Sequence, residues 1–197
     1  MRRYVTAIAA IISLVPTAAL AHSGIGHAHG FVQGFAHPLG GIDHVLAMVT
    51  VGIFAWQLGG RACWLVPATF VLVMAAGGAL GSTGVELPLV EFGIAASVVV
   101  LGAIVALKVT APLAVAMGVV GLLAVFHGHA HGSEMPLAAS GAVYAAGFLL
   151  ATALLHVGGI ALGFVIGRIG DIHGRLVTRV GGGLVALAGV AILTHWV

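Results

Sequence analysis

Eleven histidines stand in a chain of 197 residues that carries only seven Lys and Arg and five Asp and Glu. Imidazole ligates the later first-row divalent metals, and inside a membrane it is costly unless it has a partner. Three metal-capable side chains fall within eight residues in His37-Pro38-Leu39-Gly40-Gly41-Ile42-Asp43-His44. On an unbroken helix His44 lies about 20° from His37, with Met48 on the same face. Pro38 disfavours a helical His37 and Gly40-Gly41 weakens the first turn, so a broken start with carbonyls lining a cavity is the second geometry. Either one brings the imidazoles together. The plainer alternative is an Asp43 that only hydrogen-bonds His44.

A second constellation is His127-Gly128-His129-Ala130-His131-Gly132-Ser133-Glu134. Read as a loop at the end of a membrane span, its alternate histidines and flexible glycines can converge on one ion. Nitrogen and oxygen donors without thiolate suit Ni, Co, Zn or Cu(II). The alternative is a solvated histidine-rich loop. Two further polar residues stand alone among apolar neighbours. Glu91 is a candidate ligand, proton acceptor or partner orienting a histidine, and His156 is a candidate ligand whose alternative is a helix-packing role beside Gly158-Gly159. The segment His22-Ser23-Gly24-Ile25-Gly26-His27-Ala28-His29 offers a capture site if cleavage leaves His22 as a free N-terminus. Glu86, Asp171 and His173 read as ordinary polar loop residues.

The elements that must position these groups are helices in lipid. The chain is 61% apolar and 6% charged, against about 25% charged for a soluble domain, so a soluble globular protein is excluded. Arg2-Arg3, the apolar run to Val15, Pro16 and Ala19-Leu20-Ala21 predict a signal peptide over residues 1–21, cleaved after Ala21. Charge-free runs over 36–58, 63–83, 88–107, 111–127, 143–167 and 180–196 predict six transmembrane helices in one all-α domain, residues 22–197. Arg61, Lys108 and the group Arg168, Arg175 and Arg179 follow spans one, three and five. The positive-inside rule therefore places those loops in the cytoplasm and both mature termini outside, in the periplasm of a bacterial inner membrane. Many of the 31 glycines fall within spans, where they permit close helix approach.

One cysteine, Cys63, excludes an intramolecular disulfide and any multi-thiolate metal site. No HExxH, GxSxG or GxxxxGK[ST] motif is present, so neither an enzyme nor direct use of ATP is expected. No basic stripe with interleaved aromatics points to nucleic acid. A catalytic zinc held by His and Asp is the weakest reading.

The chain resembles the HupE/UreJ family of membrane proteins, associated with nickel supply to hydrogenase and urease, in HPLGGIDHVLAM (37–48) and FHGHAHGSEMP (126–136) and in its overall plan. The resemblance implies a nickel or cobalt permease. It lends weight to His37, Asp43, His44, His131 and Glu134 and, more weakly, to Glu91. The expected metal-handling set is His22, His37, Asp43, His44, Glu91, His127, His129, His131, Glu134 and His156, with a transported Ni2+ or Co2+ and no resident cofactor. The rival is a non-transporting metallochaperone or sensor serving nickel-enzyme maturation. Expected partners are the metal ion, the lipid bilayer, a second copy of the chain and maturation proteins.

Overall fold

The computed structural model describes residues 26–135 and 140–194, with the side chains of residues 26–29 and 171 outside that description. The expected signal peptide, His22, the side chains of His27 and His29, and His195-Trp196 lie outside the described residues. Among the described residues there are seven helices and no strand: α1 (Gly26–Gly40), α2 (Ile42–Leu58), α3 (Ala62–Ser82), α4 (Val90–Ala106), α5 (Leu113–Ser133), α6 (Gly141–Arg168) and α7 (Asp171–Leu193). Four of them, α3, α5, α6 and α7, are long and apolar enough to cross a membrane, with mean hydropathy between 1.8 and 2.2. The pair α1–α2 makes a fifth if it counts as one bent span. At 17 residues, α4 is about 25 Å long, near the lower end for a span. The chain is a multi-pass membrane protein.

The first span departs from a straight helix. Its two parts meet at 81°, and Gly41 between them is extended, at φ −97 and ψ 118. Pro38 has no N–H to extend the α1 ladder. A Cβ on Gly41 would stand 2.7 Å from Asp43 Oδ1 and 2.9 Å from His44 Nδ1. Glycine is needed there because both side chains fold back over it. The broken geometry, not the continuous one, is the one adopted.

Small residues set the rest of the packing. Gly77 and Gly81 on α3, and Gly128 and Gly132 on α5, each form a small-xxx-small pair. A methyl on Gly128 would strike the Met74 backbone, and one on Gly132 the Gly78 backbone. That contact fixes the rotation of α5. Gly52 of α2 likewise meets Gly159 of α6, whereas Gly158 has open space beside it. α6 lies against both α1 and α2, and α4 against α7. Met48, Val51, Phe70, Met74, Leu101 and Val120 are fully buried at the centre.

Two expectations of polar loops are corrected. Residues 127–133 are the last two turns of α5, not a loop. The glycines there pack against α3, so helix formation is supported by tertiary contact despite low propensity. The polar run 168–179 also folds as helix, because α7 begins at Asp171 after Gly170, whose φ is 97. Arg175 and Arg179 share an exposed face there one turn apart, and Thr178 donates to Gly174 O at 2.8 Å within the helix.

Candidate metal centre

The turn of α5 decides which histidines meet. His127 and His131 are four residues apart and share a face, while His129, about 200° from His127, points elsewhere. The α5 glycines against α3 leave His127 and His131 facing the start of α2, where Gly41 lets Asp43 and His44 fold inward. Four rings then form a continuous row. His37 lies 4.8 Å from His131, His131 lies 4.8 Å from His44, and His44 lies 4.8 Å from His127, centroid to centroid. His127 and His131 have no solvent exposure and His44 has 8%.

Above the row opens a cleft of about 620 Å³ lined by His37, Asp43, His44, Glu91, Glu134 and Tyr144 among others. Three of the chain's five carboxylates border it and no Lys or Arg does. It is a cation-attracting mouth. Glu91 is exposed at its lip in the first turn of α4, where the helix dipole favours a carboxylate. His37 Nε2 meets Glu134 Oε2 at 3.1 Å, joining the end of α1 to the end of α5.

The hydrogen bonds assign the ring nitrogens. His44 Nδ1 donates to Asp43 Oδ1 at 2.8 Å, and the His44 backbone N–H donates to the same oxygen at 2.7 Å. A carboxylate on Nδ1 holds the tautomer whose Nε2 carries the lone pair, and that Nε2 is buried with no partner. The Ser97 hydroxyl donates to Ile94 O at 2.6 Å. Its oxygen therefore accepts from His127 Nε2 at 2.8 Å, because a hydroxyl has one proton. His127 Nδ1 is then the lone-pair nitrogen, and it too is buried and unpartnered. His131 stacks on Phe148 at 4.9 Å and has neither nitrogen bonded. Unsatisfied buried polar groups cost roughly 1–3 kcal/mol each. Three neighbouring imidazoles thus each keep a ring nitrogen without a hydrogen-bond partner. Among the described residues no three His, Cys, Asp or Glu side chains form a finished ligand shell, so holding an ion there requires side-chain rotation.

The remaining candidates lie apart. His129 Nε2 donates to Val85 O at 2.7 Å, tying α5 to the α3–α4 connection. His156 on α6 is 1% exposed with both nitrogens unpartnered, and Phe70 separates it from the row. The Phe70 ring is 5.6 Å from His127 and 5.1 Å from His156. Sequence reasoning missed Ser97, Tyr144, Phe70 and Phe148. Ser97 carried a signal, as a lone hydroxyl in an apolar run. Tyr144 gave none, although its buried hydroxyl at the cleft has no partner.

A multi-pass helical membrane protein with an imidazole row beneath a carboxylate-lined cleft is the class that fold and site define. The chain belongs to the HupE / UreJ protein family, which matches residues 10–192. It is 52% identical over 179 residues to Protein HupE of Rhizobium leguminosarum bv. viciae, covering 91% of this chain and 92% of that protein. No solved structure matches it.

Proposed function

We propose that the chain is a six-span permease that admits divalent nickel, or cobalt, to the cytoplasm without ATP. The observation that carries this reading is the row of touching, buried imidazoles with unpartnered nitrogens at His44, His127 and His131. Membership in the HupE/UreJ family, linked to nickel supply for hydrogenase and urease, supports the choice of metal. The bent α1–α2 pair and the short α4 complete the count of six.

In this reading Glu91, Glu134 and His37 draw the hydrated ion into the cleft. His131, His44 Nε2 and His127 Nδ1 replace part of its hydration shell, and Asp43 orients His44 and balances charge. A site that closes only by side-chain rotation binds well enough to admit an ion and weakly enough to release it. His156 is the next nitrogen donor beyond Phe70. Arg61, Lys108, Arg168, Arg175 and Arg179 at the far end face the cytoplasm, and a dication moving inward gains about 4.6 kcal/mol per 100 mV, at roughly 2.3 per charge.

Nickel uptake into sealed proteoliposomes holding only this chain, under an inside-negative potential, tests the proposal. Asp43→Asn keeps the size of the side chain and removes its charge, and it is expected to abolish accumulation while the protein still inserts. Normal uptake by that variant would sink the central role of the dyad. One observation favours the non-transporting reading: the fully buried Phe70 floors the row. Tight nickel binding without accumulation in intact vesicles would establish that accessory role.

A further inference from the structure

At the end of the bundle remote from the cleft, a cavity of about 280 Å³ lies between α2, α4, α6 and α7. Lys108, Arg175, Arg179, Gln57, Trp56 and Thr178 are among its lining residues, and among the described residues no carboxylate is. Lys108 and Arg179 pair with no acid among the described residues.

Two details point to a ligand with both an anionic oxygen and a hydrogen-bond donor. Gln57 Nε2 donates to Val105 O at 3.2 Å, yet its Oε1 is buried without a partner. Lys108 holds φ 52 just after α4, a left-handed position that favours glycine. The chain places a lysine there at a backbone cost, and that lysine lines the cavity. Beside these cations Leu107, Ile169 and Ile172 are exposed apolar side chains, at 74%, 51% and 73%. Cations edged by exposed apolar surface match the boundary between headgroups and acyl chains, where basic pockets between helices take lipid headgroups.

We propose that this cavity binds the phosphate of an anionic phospholipid whose headgroup bears a hydroxyl, of the phosphatidylglycerol class. The phosphate sits on Lys108 and Arg179, a headgroup hydroxyl donates to Gln57 Oε1, and the acyl chains run past Ile169 and Ile172. This site is independent of the metal reading.

The test uses the purified full chain in detergent, with phosphatidylglycerol, phosphatidic acid, phosphatidylcholine or inorganic phosphate added, read by native mass spectrometry and thermal unfolding. Phosphatidylglycerol is expected to be retained and to raise the melting temperature, whereas phosphatidylcholine and free phosphate do little. The double variant Lys108→Gln/Arg179→Gln is expected to bind it about 30-fold more weakly, the equivalent of about 1 kcal/mol for each lost charge. Gln57→Leu leaves both cations and should instead weaken the preference for phosphatidylglycerol over phosphatidic acid. Arg61→Gln removes a cation outside the cavity and should change neither. Should the double variant not fold, the Gln57→Leu result decides. Equal retention of phosphatidylcholine, an unaltered headgroup preference in Gln57→Leu, or stabilisation by phosphate alone would overturn the proposal.

Discussion

At one end of the bundle three of the chain's five carboxylates border a cleft with four imidazoles at or beneath it, and at the other Lys108, Arg175 and Arg179 line a smaller cavity that no acid among the described residues borders. The 17 residues of α4 separate the two by about 25 Å. Polar groups near the cleft are already arranged in pairs, His44 with Asp43 and His37 with Glu134. At the far cavity Lys108 and Arg179 pair with no acid among the described residues. The difference concerns what each end can accept from outside the chain. Oriented imidazoles with free lone pairs accept a cation, whereas uncompensated ammonium and guanidinium groups accept an anion. Between them the buried polar side chains among the described residues are Thr50, Ser97, Thr152 and His156, with Phe70, Met48 and Met74 fully buried.

The sharpest way to break this contrast is to remove the middle of the row. His131→Leu keeps the volume against Phe148 and loses no hydrogen bond, because neither nitrogen has one. Nickel affinity measured by titration calorimetry is expected to fall by more than about 100-fold, beyond the 10–100-fold typical of losing an outer-shell partner. A matching thermal melt shows that the helix pair has survived. An unchanged affinity would transfer the metal reading elsewhere in the molecule.

A smaller effect sharpens the same contrast by acting on orientation alone. Ser97→Ala leaves His127 in place but removes the oxygen that accepts from its Nε2. The ring can then present either nitrogen, and affinity is expected to drop roughly tenfold. Ser97→Thr, which retains the hydroxyl, should restore it. If alanine and threonine behave alike, the hydroxyl has no role in setting the tautomer.

The sequence made the helical class and the two histidine constellations legible because composition and spacing carry them directly. Charge-free runs located the bodies of α2, α3, α4 and α6 to within a few residues, but α1 begins at Gly26 and not at 36, α5 runs on to Ser133 past 127, and α7 begins at Asp171 and not at 180. Polarity hid that start, since arginines on an exposed face do not end a helix. The same assumption hid the helical state of His127 to Ser133, where the glycines that suggest flexibility are the residues that seat α5 on α3. The convergence of His37 and His44 with His131 depends on an 81° bend. Pro38 and Gly40-Gly41 announced a break but not its angle. Phe70, Phe148 and Tyr144 meet the row only through packing across helices, which no local spacing records. Ser97 is the exception, as a solitary hydroxyl in α4 that needed a partner.

The smallest expected effect on metal lies within the histidine motif itself. His129 sits between two members of the row in sequence, but its ring bonds the Val85 carbonyl on the connection to α4. His129→Leu should therefore leave nickel affinity within about twofold and lower stability by about 1 kcal/mol, the net worth of one hydrogen bond. Calorimetry and denaturant unfolding of the same preparation separate the two quantities. A tenfold loss of affinity with unchanged stability would mean that the last turns of α5 unwind when nickel arrives and bring all three alternate histidines onto one ion. The site would then be assembled by its cargo, and the helical state with His129 turned away would be the resting arrangement of a mobile ligand loop.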